Sequence, residues 1–97
     1  MKEKFENRNV DYSDLFLKQF RKAPLPIKKA ARNRIDLFLK DPFNPLLYNH
    51  LLTGKFKEMR SINVTGDWRI IFKEDNDRGL KKVIVFMMIG THSQLYS

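Results

Sequence analysis

The sequence predicts an α+β domain in which two N-terminal helices pack on one face of a small antiparallel sheet. Three observations predict it: helical spacing of apolar residues as far as Lys40, a period of two from Lys55 onward, and turn residues between the apolar runs. Helices that precede a series of antiparallel strands segregate to one face of the sheet. With 97 residues, of which 42% are hydrophobic, we expect a single domain spanning residues 1–97.

Both helices have an apolar face and recognisable ends. In "DYSDLFLKQFRK" the apolar stripe contains Tyr12, Leu15, Phe16 and Phe20. Asp11 or Ser13 can cap its first turn, because a short side-chain oxygen reaches the free amides there. Pro26 suits the first residue of the second helix, which Pro42 and Pro45 of "KDPFNP" should end.

The second half of the chain predicts strands. "FKEMRSINV" alternates, with Ile62 on one face and Ser61 and Asn63 on the other, and "TGD" and "WRIIFK" complete a hairpin. "KEDNDRG" is expected to form a second turn, and "KKVIVFMMI" an interior strand, because it is apolar on both faces. A weak strand signal lies between Lys4 and Val10, and "LLYNHLLTG" is expected to be a connector with at most a turn of helix.

The chain is strongly basic. Nineteen Lys and Arg against 11 Asp and Glu give a net charge of +8. Residues 21–40 contain seven bases and one acid, so this segment alone carries +6. A surface of this kind suits a polyanion or an acidic protein, although a merely solvated basic face has the same composition. Clustering on one helix favours nucleic acid.

Several classes of protein are excluded. With no cysteine, the chain has no disulfide, no thiol nucleophile and no thiolate metal site. It also has no HExxH motif, no cluster of carboxylates and no glycine-rich phosphate loop, so we expect no metal and no other cofactor. No signal-peptide core follows Met1 and no apolar run spans a bilayer, so we expect a cytoplasmic protein without a membrane partner.

Acid–base chemistry would have to come from two histidines, His50 and His92. His92 follows the end of the predicted interior strand, where a rigid scaffold can present an imidazole that titrates near neutral pH. A histidine in a loop more commonly just binds a neighbouring carbonyl. Tyr96 can contact a nucleotide or simply cover the edge of the sheet, and Arg69 can bind phosphate or pair with Asp67.

"NHLLTGKFKEMRSINVTGDWRIIFK" followed by "IGTHSQLY" resembles the RelE/ParE superfamily of toxins from bacterial type II toxin–antitoxin systems. The resemblance is greatest to its YafQ-like branch of messenger-RNA endonucleases (mRNA interferases), and is most specific in "GDWRIIF" and "GTHSQLY". It covers nearly the whole chain and implies a RelE-like fold. It also implies ribosome-dependent, metal-independent cleavage of mRNA, in which the ribose 2′-OH attacks the adjacent phosphate. The implied partners are the ribosome with its mRNA and a cognate antitoxin, expected to be acidic.

The resemblance also assigns residues. His92 matches the catalytic histidine and is the expected general acid, Tyr96 matches an aromatic residue that contacts the cleaved nucleotide, and His50 and Asp67 match positions with catalytic or substrate roles. The residues expected to bind RNA, from the resemblance and from the basic segments, are Arg60, Arg69, Asn63, Lys55, Lys57, Lys28, Lys29 and Arg32.

One position departs from the branch. Ser61 and Asn63 occupy the first hairpin strand where YafQ-like sequences have an acid and a second histidine. Because asparagine cannot accept a proton at neutral pH, the general base is left open between His50 and Asp67, unless the ribosome and the cations replace it. Two alternatives follow: a non-nucleolytic ParE-like inhibitor of DNA gyrase, and a catalytically weakened member that only binds RNA or the ribosome.

Overall fold

The computed structural model describes residues 10–77 and 81–96, which form a five-stranded sheet with its longer helices on one face. In chain order the elements are β1 (Val10–Tyr12), α1 (Asp14–Lys22), α2 (Leu25–Lys40), β2 (His50–Leu51), β3 (Arg60–Asn63), β4 (Trp68–Asp77), β5 (Lys81–Thr91) and α3 (His92–Tyr96). Short 3-10 turns occupy Pro45–Leu47 and Gly54–Phe56. The strand order is β1-β5-β4-β3-β2; β1 is parallel to β5 and all other pairs are antiparallel. The predicted fold class is confirmed.

The helix ends follow the sequence signals. Ser13 caps α1, since its Oγ accepts a hydrogen bond of 2.9 Å from the amide of Phe16. The same hydroxyl donates to the carbonyl of Met87 in β5 at 2.7 Å, which ties the start of the helix to the sheet. Pro26 lies in the first turn of α2, and this helix ends at Lys40 before Pro42, as predicted. None of the described helices is long and apolar enough to cross a membrane.

The face of the sheet beneath α1 and α2 carries the main core. Phe72 of β4 is fully buried, 4.7 Å from the ring of Phe38 in α2 and 6.1 Å from that of Phe86 in β5. A bulge in β5 shapes this layer: Phe86 is opposite Phe72 and Met88 is opposite Ile71, so Met87 is one residue extra. The extra residue allows Phe86 and Ile89 to face the same core despite their odd spacing.

The opposite face has a smaller apolar cluster, made of Leu52, Phe56, Ile71 and Leu95 with Met59 and Met88 at its margin. It is covered by Leu95 of α3 and by short segments around the turn at Gly54–Phe56, with no long helix among the described residues packed on it. Part of this face therefore remains open, beside the hairpin of β3 and β4.

Four details differ from the sequence-based expectation. The predicted connector contains a strand, β2, which forms by pairing with β3. Tyr12 lies in β1, opposite Phe86, and not in the helix, while Leu15 is 47% exposed and so does not belong to the buried stripe.

The predicted second turn is mostly strand, because β4 continues to Asp77; its residues 78 and 79 lie outside the described part of the chain. The weak strand signal at residues 4–10 also falls outside it, except for Val10, which begins β1.

Candidate active site

The last described segment, α3, turns back against β5 by a specific local sequence. Thr91 Oγ1 accepts a hydrogen bond from the amide of Gln94 (3.1 Å), and Gln94 Oε1 accepts one from the amide of Thr91 (2.9 Å), which is a capping box. A Cβ at Gly90 would lie 3.1 Å from Gln94 Oε1 and 3.2 Å from Leu95 Cδ2, so the close return of the helix favours glycine, since a larger residue would push these side chains aside. Leu95 is buried and anchors the helix in the smaller cluster.

This arrangement presents His92 and Tyr96 together. They are four residues apart, hence on one side of α3, and their ring centroids are 4.7 Å apart. The amide of His92 donates to the carbonyl of Asp67 at 3.0 Å, which fixes the start of the helix to the hairpin turn. The ring of Tyr96 also meets Phe56 edge-on at 5.5 Å. Burial raises the pKa of Tyr96, and the nearby charge of Arg69 lowers it by less, so its phenol is protonated at neutral pH.

His50 lies on the same face of the sheet, in the edge strand β2. Strand β2 pairs His50 with Ser61 of β3, and His50 Nδ1 lies 2.9 Å from the carbonyl oxygen of Tyr48. A carbonyl only accepts, so Nδ1 carries the hydrogen, and Nε2 of the neutral ring is left as a proton acceptor. Tyr48 has the left-handed backbone angle φ 46°, and its ring lies 4.6 Å from that of His50.

An open cavity of about 320 Å³ joins these groups; it is lined by Tyr48, His50, Leu52, Ser61, Arg69, His92 and Tyr96. The set contains two imidazoles and one guanidinium, and no carboxylate. Such a lining attracts an anion and supplies both a proton acceptor and a proton donor next to it.

Arg69 is held on the cavity side of the hairpin by its own turn. Its Nη1 donates to the carbonyl of Gly66 at 2.9 Å, and at longer distance to those of Thr65 and Trp68. Within residues 10–77 and 81–96 no hydrogen-bond partner is found for its Nε or Nη2. The guanidinium is therefore positioned while most of its donors remain available to a bound anion.

Two polar atoms without partners lie on the cavity face of β3, one in Ser61, which lines the cavity, and one in Asn63, which does not. Ser61 is 1% exposed, and its Oγ has no hydrogen bond; Asn63 Oδ1, on the same face of β3, is also buried and unpaired. In the sheet register Asn63 is opposite Arg69. An unpaired buried polar group costs about 1–3 kcal/mol, so two of them side by side point to a ligand that would pair with them.

Comparison with known proteins decides the family. A model of the bacterial toxins of type II toxin–antitoxin systems, YafQ, matches residues 8–97. The chain belongs to the YafQ family. Its fold matches that of YafQ from E. coli strain BL21(DE3), with 24% identity and a TM-score of 0.74, over 91% of this chain and 97% of that one.

Two further structures are complexes with an antitoxin. The E. coli DinJ–YafQ complex matches with 24% identity and a TM-score of 0.71, over 91% of this chain and 96% of that one. The RelB–RelE complex of Methanococcus jannaschii matches with 19% identity and a TM-score of 0.68, over 90% and 95%. No relative among curated proteins matches the chain at a significant level.

Other residues singled out in this YafQ-family chain lie outside the cavity. The side chain of Asp67 is exposed in the hairpin turn and does not line it; only its backbone touches His92. Arg60 Nε donates to Asn49 Oδ1 at 2.8 Å, and its guanidinium lies 5.5 Å from the ring of Phe43. It is next to Ser61 on β3 and so faces the opposite side of the sheet.

The predicted basic residues fall into two regions. Lys55 lies 5.2 Å from the ring of Phe56, beside the cavity, and Lys57 is exposed nearby in sequence. Lys28, Lys29 and Arg32 lie on α2, behind the sheet, with Lys28 half-buried and the other two exposed.

Three residues of the cavity were missed as site residues: Tyr48, Leu52 and Ser61. The two-residue period did put Ser61 on the face of Asn63, which was the available signal. Tyr48 and Leu52 gave none, because the strand between them forms only by tertiary pairing. Within residues 10–77 and 81–96 no group of three histidine or acidic side chains is arranged to hold a metal ion.

Proposed function

We propose that this YafQ-family toxin is a metal-independent mRNA endoribonuclease, with His92 as general acid and His50 as general base. The observation that carries the proposal is that both histidines line one open cavity together with Arg69 and an unpaired buried serine hydroxyl. Membership of the toxin family gives the class of protein, and the cavity supplies groups suited to breaking a phosphodiester.

The proposed reaction uses the RNA's own ribose. Neutral His50 takes the proton of the 2′-OH at Nε2, and the 2′-oxygen attacks the adjacent phosphorus. The bond from phosphorus to the 5′-oxygen breaks, and protonated His92 gives its proton to that leaving oxygen. The products are a 2′,3′-cyclic phosphate and a 5′-hydroxyl. One acid or base of this kind contributes roughly 10²–10⁴ in rate.

The other groups of the cavity, together with Asn63 beside it, bind and orient the RNA in this proposal. The free donors of Arg69 neutralise charge on the phosphorane, and the Ser61 hydroxyl donates to a phosphate oxygen. Asn63 bonds the ribose, while the neutral Tyr96 phenol contacts the base or phosphate. Asp67 acts only through its backbone carbonyl, by holding the start of α3.

We also propose ribosome dependence and an antitoxin partner. The bases of α2 lie on the side of the sheet opposite the cavity, so they can dock on ribosomal RNA while the cavity faces the message. Contacts of this type make binding strongly dependent on salt. Two solved relatives are complexes with antitoxins, and the charge of +8 suits an acidic partner.

The test is cleavage of a defined message by purified ribosomes with added toxin. His92→Ala should lower the cleavage rate by roughly 10²–10⁴, because the leaving oxygen would lose its proposed proton donor. Ser93→Ala is the matched control, since Ser93 is exposed on the same helix and outside the cavity. Equal cleavage by wild type and His92→Ala would remove His92 from the mechanism. Inhibition of supercoiling by gyrase, without RNA cleavage, would instead identify a ParE-like inhibitor.

A second pair of variants tests the base and the substituted position. His50→Ala should lower the cleavage rate without lowering affinity for the ribosome. Small acids added to the buffer should restore part of the rate of His92→Ala, which lacks the general acid, and should not restore that of His50→Ala. Asn63→His should raise the rate, because it would add an imidazole beside Arg69 on the cavity face of β3. An unchanged rate in Asn63→His would mean that residue 63 does not contact the reacting groups.

A further inference from the structure

A second cleft lies on the other side of α3. Its volume is about 270 Å³, and its lining residues are Gln19, Lys22, Ala23, Trp68, Ile89 and Gln94. His92 lines the cavity and Gln94 lines the cleft, and residues two apart on a helix project about 200° from each other. The short helix α3 is therefore the wall between the two spaces.

The side-chain polar groups of this cleft that remain without a partner are hydrogen-bond donors. Gln19 Oε1 accepts from the amide of Ile89, and Gln94 Oε1 accepts from the amide of Thr91, each at 2.9 Å. These bonds settle the orientation of both carboxamides and leave their NH₂ groups without a partner among the described residues. Lys22 adds an ammonium, and no carboxylate is among the six lining residues. The cleft thus offers donors only, and suits a group rich in acceptors.

The remaining lining is apolar and aromatic. The half-buried Trp68 packs against the main core, which includes Ile89, and shares the lining of the cleft with Ile89 and the buried Ala23. An indole next to a cation and two amide donors is suited to a nucleotide, because the ring can contact the base while the donors bond phosphate oxygens or base carbonyls. An acidic peptide would satisfy the donors but would leave the tryptophan without a stacking partner.

We propose that this cleft is a second nucleotide subsite, which binds the RNA nucleotide next to the one held in the cavity. The strand would pass over α3, with one nucleotide on either side of it. As an RNA subsite it rests on the proposed nuclease function. The binding of a nucleoside phosphate to the cleft does not depend on that function.

Trp68 makes the test direct, since it is the only tryptophan of the chain. We would titrate the protein with a trinucleotide RNA carrying 2′-O-methyl riboses, which cannot be cleaved, and with adenosine 5′-monophosphate. Saturable quenching of the Trp68 fluorescence is expected, with tighter binding of the trinucleotide. Binding of the mononucleotide alone would identify a site for free nucleotides and overturn the strand proposal.

Two substitutions separate binding from folding. Gln94→Glu and Gln19→Glu keep the oxygen that accepts from the backbone, and replace the free NH₂ donor by an acceptor. Each should weaken trinucleotide binding at least tenfold with little change in the melting temperature. Lys22→Gln should weaken it as well, and Lys18→Gln, an equal loss of charge at an exposed position of α1 outside the cleft, should do so much less.

The outcomes separate the two proposals. Affinities in both glutamate variants that equal those of wild type would overturn the subsite. His92→Ala should keep the quenching while losing cleavage. A wild-type protein that cuts no RNA but shows quenching dependent on Gln94 would refute the nuclease and retain the nucleotide site. RNA cleavage without quenching of Trp68 would retain the nuclease and refute the nucleotide site.

Discussion

The two faces of the sheet satisfy opposite requirements. Beneath α1 and α2, eleven buried residues form one aromatic-rich cluster, and no buried side-chain polar atom of a described residue is left unpaired there. On the other face four buried residues form a smaller cluster, and Ser61 and Asn63 next to it hold polar atoms without partners. Stability is concentrated on one face, and unsatisfied binding groups on the other.

The difference teaches where to look for function in a small domain. A closed, fully packed layer allows the opposite layer to carry groups that weaken the fold until a ligand pairs with them. Separating the layers also places His50, His92 and Arg69 on the face with the smaller apolar cluster.

The largest effect should come from truncating the main core. Phe72→Ala removes a ring that contacts Phe38 and Phe86, and should lower the free energy of unfolding by about 3–5 kcal/mol. Phe56→Ala, on the open face, should cost less because Phe56 is 9% exposed and belongs to the smaller cluster. Urea denaturation measures both. Equal losses would show that the two faces do not differ in their contribution to stability.

Gly90→Ala should have the next largest effect, and a local one. The new methyl group would press on Leu95 and Gln94, at a cost of about 1–3 kcal/mol, and would displace α3 together with His92. Cleavage should fall more than the melting temperature suggests. Gly66→Ala is the control, because a Cβ there meets nothing within 4 Å. A Gly90→Ala protein with normal cleavage would show that the close return of α3 does not position the site.

Ser61→Ala should separate stability from activity. Removing a buried hydroxyl that has no partner should leave the free energy of unfolding unchanged or raise it by about 1 kcal/mol, while RNA cleavage falls. The contrasting serine is Ser13, whose hydroxyl makes two hydrogen bonds; Ser13→Ala should lower stability by about 1 kcal/mol. Destabilisation by Ser61→Ala would mean that its hydroxyl is paired within the protein.

The smallest effect concerns alkaline pH. The pKa of Tyr96 is raised above 10.0 in the folded state, chiefly by burial, so folding favours the neutral phenol. This contribution is fully present below the pKa of the unfolded chain, and is lost as the pH rises from there through the folded pKa. Tyr96→Phe should lose less stability than wild type between about pH 9 and pH 12. Identical pH profiles by urea denaturation would contradict the assignment.

Local sequence signals predicted most of the fold. Of the residues that line the cavity, they pointed to His50, Arg69, His92 and Tyr96. Ser13, Pro26 and Pro42 predicted the helix ends because capping and proline geometry are local. Strand β2 has only two residues and no alternation to read, so its existence depends on the pairing of His50 with Ser61. That pairing, formed across the connector, is what brings His50 to the cavity.

The same limit explains the remaining differences. Tyr12 fits a helical stripe in sequence, but in the structure it pairs with β5 in the parallel ladder and is therefore part of the sheet. Asp67 and Arg60 were chosen from motif positions, and the direction of their side chains depends on a turn and on strand alternation in a register that sequence does not reveal. His92 and Tyr96 were accessible because one short helix fixes both.

Strand β1 has a consequence for how the molecule is made. The hydroxyl of Ser13 bonds a carbonyl 74 positions later, and β1 lies alongside β5, which is synthesised after the other four strands of the described sheet. Until β5 has been synthesised, β1 has no neighbouring strand in the described sheet, and chain closure over so long a loop slows folding. A nascent chain that has not yet reached β5 therefore lacks the strand that carries α3 and His92, so the cavity cannot assemble until β5 and α3 have been synthesised.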